Sequence, residues 1–136
     1  MREECLANKT SLCFETVLSA PDKIDFIRRS KAAGYFIRLF FVGTDSPAIN
    51  ASRIAHRVME GGHDVPLPKI ISRHSKSIAN CCVAVRMVDR AYIYDNSIDY
   101  ADPRLLFRVA DGVLEKKYAD INPWAAEIAE SMQGGV

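Results

Sequence analysis

Basic side chains recur at helical spacing in two neighbouring segments of the chain. Within each segment they stand three or four residues apart, so they share one face of a helix. They are Arg53 and Arg57 in the first segment, and Lys69, Arg73 and Lys76 in the second. The guanidinium group is permanently charged, grips two phosphate oxygens at once, and stabilises a phosphoryl group during its transfer. The pattern therefore indicates either a polyphosphate clamp or two ordinary solvated helix faces.

The formal charge of the chain is concentrated in the same region. Residues 51–76 carry five cations against two anions, a local charge of +3, whereas the whole chain has a net charge of +1. A nearly neutral molecule exerts no global attraction on nucleic acid or anionic lipid, so we expect no nucleic-acid partner. The longest apolar runs are far shorter than the roughly 18 residues that span a bilayer, so we expect no membrane partner either.

Carboxylate and hydroxyl groups cluster near the N-terminus. Glu15, Thr16 and Ser19 follow a short apolar run, at the predicted carboxyl end of a strand, where open α/β sheets place their ligands. They could hold a sugar or another hydroxylated acceptor, although capping of a helix by Ser19 explains them equally well. Residues 95–97 end another predicted strand and could line a nucleotide or form a polar turn.

The cysteines and histidines match neither a disulfide framework nor a metal-binding motif. The adjacent Cys81 and Cys82 lie in an apolar helical run, where free cysteine behaves as a small hydrophobe. The three histidines fall within residues 56–74, but their spacing matches no zinc motif. We therefore predict reduced thiols and no metal site.

The N-terminal part of the chain predicts two strands and three helices. The segment Tyr35–Val42 is rich in aromatic and branched residues, which predicts a central strand buried on both faces. Prolines begin the helices and glycines end them. The other elements are a strand over Leu12–Thr16, a helix from Pro21 to Gly34, a helix from Pro47 to about Glu60 and a helix from the Pro66–Pro68 loop to Val88.

Helical spacing also predicts which side of the second and third helices is buried. The apolar line of the second helix consists of Ala51, Ile54, Ala55 and Val58, and that of the third of Ile71, Ile78, Cys82 and Val85.

The C-terminal part predicts a strand, a hairpin and a last helix. Arg90–Asp95 is the strand, and Asp111-Gly112 is a strong two-residue turn between Leu105–Ala110 and Val113–Tyr118. The last helix runs from Asn122-Pro123 through about Met132. Alternating strands and helices predict one α/β domain with a mostly parallel sheet, flanking helices and a small C-terminal β-hairpin. Nothing at the N-terminus has the pattern of a signal peptide, so we expect a cytoplasmic protein.

Four ordered blocks of this sequence resemble the zeta-toxin-like group of P-loop kinases, also described as predicted ATPases. The resemblance implies a partial P-loop kinase-like fold over a single domain, residues 1–136, that is shortened at its N-terminus. It also implies that residues from about 47 to 88 form a lid over the phosphates of ATP. The blocks are Phe14–Ser19 (FETVLS), Arg53–Pro66 (RIAHRVMEGGHDVP), the set Arg73, Lys76-Ser77 and Asn80, and Tyr94–Ser97 (YDNS).

The resemblance also implies roles for individual residues, with ATP and Mg²⁺ as the cofactors of the family. Better understood members phosphorylate a UDP-linked amino sugar, which makes a nucleotide sugar one candidate for the small-molecule acceptor. Val17, His74 and Lys76 stand where the family usually has threonine, tyrosine and arginine. The implied roles are acceptor binding by Glu15, Thr16 and Ser19, a catalytic phosphate clamp by Arg57 and Arg73, and nucleotide binding by Arg53, Lys76 and Asn96.

The 136 residues contain no GxxxxGK[ST] motif, the phosphate-binding loop of the family. That loop supplies backbone donors around the phosphates, a lysine on their oxygens and a hydroxyl on Mg²⁺. We therefore expect the acceptor-and-lid portion of an ATP-dependent small-molecule kinase, inactive by itself. The strand that carries the loop is also missing, which leaves a sheet edge open to a homodimer or a complementing protein. The alternative is a non-catalytic interaction module that binds an antitoxin-like protein or an intact paralogue.

Overall fold

The structure is a computed structural model that describes residues 3–4, 8, 10–13 and 15–132. In these residues a four-stranded sheet is combined with helices that precede, interrupt and follow it. None of the described helices combines the length and the apolar character that a bilayer span requires. The elements are α1 (Pro21–Ala32), β1 (Arg38–Gly43), α2 (Pro47–Met59), α3 (Leu67–Ala84), β2 (Arg90–Asp95), β3 (Arg104–Ala110), β4 (Val113–Lys117) and α4 (Pro123–Glu130).

Proline and glycine mark the element boundaries as the sequence predicts. Each of the four helices has a proline in its first or second position, where a missing backbone N–H costs nothing. Gly34 and Gly61 follow α1 and α2 with φ angles of 92° and 94°, a conformation that glycine adopts without strain. Asp111 and Gly112 both have positive φ, as a tight two-residue hairpin turn requires. The predicted hairpin is confirmed.

The sheet has the order β1-β2-β3-β4 and is mixed. Strands β1 and β2 are parallel, with Gly43 directly opposite Asp95, whereas β2–β3 and β3–β4 are antiparallel. The α/β class is confirmed, and so is the appended hairpin. The sheet is not mostly parallel, because the hairpin contributes both antiparallel pairings and the described residues add no strand beyond β1.

The hydrophobic core lies on one side of the sheet. Successive side chains of a strand point to opposite faces, and Phe41, Ile93 and Phe107 all point to the side on which α3 and α4 pack. Cys81 of α3 and Trp124 of α4 belong to the same cluster of buried residues. The core therefore anchors α3 and the ends of β1 and β2, which are the elements that carry the candidate site.

The prediction that β1 is a central strand buried on both faces is wrong. β1 is an edge strand, and Phe40 and Val42 are 58% and 51% exposed. Apolar composition indicates that a surface is suited to burial, but it does not tell what covers that surface.

The predicted strand over Leu12–Thr16 is also wrong for the part that the structure describes. Residues 12–13 and 15–16 have no regular secondary structure, and Phe14 lies outside the described residues. A strand exists only where a neighbour takes up its backbone hydrogen bonds. The segment is instead fixed further on, where the Leu18 side chain enters the core at 6% exposure.

The predicted apolar faces of α2 and α3 are only partly correct. No residue of α2 is buried, and Ala55 and Val58 of its predicted core line are exposed. In α3 the side chain of Ile78 is buried as expected, whereas Ile71 is exposed and the neighbouring Ile70 is buried. α3 packs against α1, α2 and α4. Its buried surface is therefore wider than the predicted apolar line and is rotated around the helix axis relative to it. α3 also ends at Ala84, four residues before the predicted Val88.

Candidate functional site

The carboxyl ends of β1 and β2 lie side by side at one edge of the sheet. Gly43 and Asp95 are register partners, and the backbone N–H of Asn96 donates to the Gly43 carbonyl at 2.8 Å. The loops that follow the two strands therefore leave the sheet together. This is the position at which parallel strands of α/β proteins place their ligands.

The carboxylate of Asp95 organises the loop after β2. It is 5% exposed, and its Oδ1 accepts hydrogen bonds from Trp124 Nε1 at 2.8 Å and from Ser97 Oγ at 2.6 Å. Ser97 Oγ in turn accepts the backbone N–H of Asp45 at 2.9 Å. One buried carboxylate thus connects the end of β2, the start of the loop after β1 and helix α4.

Gly43 gives Trp124 its place beside the strand ends. A Cβ atom at residue 43 would lie 2.4 Å from Cη2 of the indole, closer than real Cβ contacts allow. Only a residue without a side chain lets the ring lie against the backbone of β1, and from there its N–H reaches Asp95. The glycine is required by close approach and not by its backbone angles.

Thr44, directly after β1, attaches helices α2 and α3 to the strand end. Its hydroxyl lies 2.8 Å from Asn50 Oδ1 on α2. Its carbonyl oxygen lies 2.9 Å from His74 Nε2 on α3, and because a carbonyl only accepts, Nε2 carries the proton of this bond. His74 thus donates the hydrogen bond that fixes α3 at the strand end.

Arg53, one of the predicted nucleotide-binding residues, already has a carboxylate partner. Its Nε donates to Asp99 Oδ1 at 2.9 Å across the gap between α2 and the loop after β2. The Asp99 side chain is 63% exposed, so the pair contributes at most about 1 kcal/mol. A phosphate could replace this carboxylate at little cost in free energy. The ion pair with Asp99 is, however, also a sufficient structural explanation for Arg53.

Arg57, Arg73 and Lys76 have no such partner. Arg57 and Lys76 are exposed and Arg73 is half-buried. Within the described part of the chain none of the three side chains makes a hydrogen bond or ion pair. Arg73 and Lys76 stand three residues apart on α3, so they occupy one face of that helix. These cations can accept an anionic ligand without first losing an internal contact.

The predicted acceptor segment is held against α3 through its backbone. Asn80 Nδ2 donates to the carbonyl of Leu18 at 3.1 Å, which fixes the position of the adjacent, half-buried Ser19. Glu15 and Thr16 are exposed, and the Thr16 hydroxyl bonds only its neighbouring carbonyl at 3.4 Å. The structure therefore brings Ser19 to α3, but it joins neither Glu15 nor Thr16 to any predicted phosphate-binding residue.

Helix α3 is the element that connects these parts. Its His74 bonds the end of β1 and its Asn80 bonds the acceptor segment, and six residues of helix separate the two contacts by roughly 9 Å. Lys76 and Ser77 lie between them on the helix. Asn96 touches the same strand end through its backbone. Arg57, near the far end of α2, is not joined to this group by any contact between described residues.

A shallow cavity of about 340 Å³ adjoins the Asp95 network. Its walls come from the end of β2, the loop after it and the start of β3, so it is continuous with the strand-end site. The lining residues are Asp95, Ile98, Ala101, Asp102, Pro103 and Arg104.

The described cysteines of α3 offer no nucleophile. Burial raises the pKa of Cys81 well above its ordinary value, and burial is also the largest cause of the raised pKa of Cys82. A thiol with a raised pKa is unreactive at neutral pH, in agreement with the interpretation of this pair as small hydrophobes. In the described part of the chain no group of three or more His, Cys, Asp or Glu side chains could hold a metal ion.

Sequence reasoning missed three residues that shape this site. Trp124 and Thr44 carried no motif, and the importance of each comes from a contact with a distant part of the chain. Asp99 was overlooked because its partner Arg53 is 46 residues away. The presence of only one tryptophan in 136 residues was the single available signal for Trp124.

Comparison with known proteins identifies one family. The model of the zeta toxin family matches residues 1–104, which is more than half of the chain and includes the predicted acceptor segment, helices α2 and α3 and the loop after β2. Searches of curated proteins and of solved structures return no match. The α/β fold described above is consistent with a partial P-loop kinase-like fold.

Proposed function

Since the chain belongs to the zeta toxin family, we propose that it forms the acceptor-and-lid portion of an ATP-dependent small-molecule kinase. The reaction is the transfer of a phosphoryl group from ATP to a hydroxyl group, with a nucleotide sugar as a candidate acceptor. The observation that carries this proposal is the arrangement on α3. This helix bonds the predicted acceptor segment through Asn80 and the strand end through His74, and among the described residues its Arg73 and Lys76 have no partner.

The proposed roles combine that arrangement with the roles that the family resemblance implies. Arg73 and Arg57 clamp the transferred phosphoryl group, because permanently charged guanidinium groups offset the negative charge of its oxygens. Lys76 and Arg53 bind the nucleotide phosphates, with Arg53 exchanging Asp99 for phosphate. Asn96 lies beside the nucleotide, and Ser19 with Glu15 and Thr16 contacts the acceptor.

The two cofactors of the family fit the described residues unequally. ATP fits, because the unpaired cations of α2 and α3 offer donors for several phosphate oxygens. Mg²⁺ does not fit, because the described residues contain no cluster of metal-ligating side chains and the 136 residues lack the phosphate-loop hydroxyl. We derive no catalytic step through Mg²⁺ from this chain.

We further propose that these residues do not transfer phosphate without a phosphate-binding loop from elsewhere. Strand β1 offers a place for a complementing strand, since its outer N–H and C=O groups have no strand partner among the described residues. A second copy of the chain or another protein could supply that strand. Sequencing the source DNA upstream of the Met1 codon tests this point, because a strand followed by GxxxxGK[ST] there identifies the source of the loop.

Isothermal titration calorimetry of the purified chain with ATP and with pyrophosphate tests the phosphate clamp. Replacing Arg73 by alanine removes one charged hydrogen-bonding group, so we expect binding to weaken by about 10- to 100-fold. Arg86→Ala is the matched control, because Arg86 is also exposed and unpaired in the described structure but follows the C-terminus of α3. Absence of any binding, or an equal loss in both variants, contradicts the proposal. Phosphate transfer by the chain alone contradicts the proposed dependence on another loop.

A second candidate function is a non-catalytic interaction module that binds an antitoxin-like protein or an intact paralogue. The observation that favours it is the unpaired edge of β1, with Phe40 and Val42 more than half exposed. The same titration separates the two functions. A module that does not use the phosphate clamp binds neither ATP nor pyrophosphate, and Arg73→Ala leaves its protein binding unchanged.

A further inference from the structure

One face of the sheet is open. Side chains along a strand alternate between the two faces of the sheet. Those that point to the side opposite the core are not buried in the described structure. We call this surface the open face. The residues used below are Arg38 and Phe40 of β1, Tyr92 of β2, Arg108 of β3 and Lys116 of β4. Parallel strands are normally covered on both faces, and the exposed aromatic side chain of Phe40 lies on the parallel pair β1–β2, so the open face is a candidate binding surface.

The register of the four strands places one row of side chains across the whole open face. Phe40 pairs with Tyr92, Tyr92 with Arg108, and Arg108 with Lys116. Neighbouring strands are about 4.8 Å apart, so the row is about 14 Å long from the edge at β1 to the edge at β4. Its β1 half is aromatic and its β4 half is basic.

The two aromatic rings stand upright on the sheet. Their centroids are 4.9 Å apart with an interplanar angle of 10°, which matches the spacing of the strands that carry them. The flat faces of the rings therefore contact each other, and the ring edges point away from the sheet. Each ring uses one flat face for the other ring, and the pair presents its apolar ring edges to a ligand that lies on the sheet, which favours a protein surface over a nucleic-acid base.

Positive charges flank the aromatic pair on both sides. The guanidinium of Arg38 lies 4.8 Å from the centre of the Phe36 ring, and the ammonium of Lys116 lies 4.9 Å from that of the Tyr118 ring. Neither cation forms an ion pair with the described residues. Arg108 is paired with Glu115. The distance of about 14 Å between the two edge strands accommodates one α-helix, whose diameter is about 10–12 Å.

We propose that the open face binds an amphipathic helix of a partner polypeptide that carries acidic residues on both sides of its apolar stripe. The apolar stripe packs on the edges of Phe40 and Tyr92. The acidic side chains on one side meet Arg38, and those on the other meet Lys116. This inference does not depend on the phosphate clamp, because none of its residues lies on α2 or α3.

A pair of synthetic helical peptides tests the proposal by fluorescence anisotropy. Both have about 18 residues with leucine at helical spacing, long enough to form a helix on binding, and they differ only in having glutamate or lysine beside the stripe. We expect the glutamate peptide to bind at least tenfold more tightly than the lysine peptide. Arg38→Glu should weaken the binding of the glutamate peptide and strengthen the binding of the lysine peptide, because it reverses the charge on one side of the surface.

Phe40→Ser tests the apolar part of the surface. This change should weaken the binding of the glutamate peptide at least tenfold. Met59→Ser is the matched control, since Met59 is an 86% exposed apolar residue on α2 and should have no effect. Because Phe40 is 58% exposed but stacks on Tyr92, the serine variant should lose only about 1 kcal/mol in urea unfolding, and a single cooperative transition shows that the fold is intact.

Four results would overturn the proposal. The first is that neither peptide binds, and the second is that both bind equally. The third is binding of a single-stranded oligothymidine that Phe40→Ser abolishes, since the face would then recognise nucleic acid. The fourth is self-association in sedimentation experiments that Phe40→Ser abolishes, since the occupant would then be a second copy of the chain. Loss of ATP binding in Arg73→Ala has no bearing on these outcomes.

Discussion

Replacement of Asp95 by alanine should destabilise the protein by about 2–4 kcal/mol. The change removes the carboxylate oxygen that accepts the Trp124 indole N–H and the Ser97 hydroxyl in the described structure. Trp124 is buried, so its orphaned donor costs about 1–3 kcal/mol, and the half-buried hydroxyl adds less because it can turn towards water. Asp95→Asn should cost only about 1 kcal/mol. Both short hydrogen bonds end on Oδ1, so an amide oxygen in its place keeps them and only the 3.3 Å bond from the Ser97 N–H to Oδ2 is lost.

Urea unfolding followed by fluorescence measures this difference at the site itself, because Trp124 is the only tryptophan in the chain. The free energy of unfolding should fall in the order wild type, Asp95→Asn, Asp95→Ala, with unchanged dependence on urea. If the asparagine and alanine variants lose the same stability, the negative charge and not the pair of hydrogen bonds stabilises the strand ends. If the alanine variant loses less than about 0.5 kcal/mol, the proposed role of Asp95 is wrong.

Two further changes test the packing and the pH dependence of the fold. Gly43→Ala places a Cβ atom 2.4 Å from the buried indole ring, so we expect a loss of at least about 1–3 kcal/mol in urea unfolding and an altered near-ultraviolet circular dichroism spectrum; an unchanged spectrum would show that the ring does not occupy this position. Partial burial alone would raise the pKa of Asp89, but hydrogen bonds from Lys31 and a backbone N–H lower it below its ordinary value. The resulting stabilisation is complete above the unfolded pKa of about 4 and is lost as the pH falls through the lower folded pKa, so the difference in unfolding free energy between wild type and Asp89→Asn should be largest near pH 6–7 and shrink below about pH 4.

The elements that the sequence predicted correctly are those with local signals. Proline at the start of the helices, glycine after them and Asp111-Gly112 in the hairpin act within a few residues, so they can be recognised without the tertiary structure. The strand Arg90–Asp95 is confirmed to the residue. The strand over Leu12–Thr16 is wrong because a strand needs a partner, and the availability of a partner is not a local property.

The candidate site could be predicted in its residue types but not in its contacts. The spacing of the basic residues of α2 and α3 indicates their shared faces, yet only the structure distinguishes Arg53, which has a carboxylate partner, from Arg73, which has none among the described residues. Asn80 and His74 act on the carbonyl groups of distant residues. Every residue has a backbone carbonyl group, so the residue type of the acceptor does not indicate such a contact in the sequence.

The wrong predictions of burial have a common physical cause, and it bears on function. The strand β1 and the predicted apolar line of α2 both have the composition of buried surfaces, yet Phe40, Val42 and Val58 are exposed. In a natural sequence local pattern and final environment usually agree, so a consistent apolar pattern on an exposed surface indicates that the surface is covered in the functional state. The two surfaces require different partners. β1 offers a backbone edge without a strand partner among the described residues, together with an aromatic face between cations, whereas the exposed side of α2 carries Arg57, which has no partner in the described structure. A partner on the open face would therefore leave the proposed phosphate clamp accessible, so the two proposed binding events are compatible with one complex.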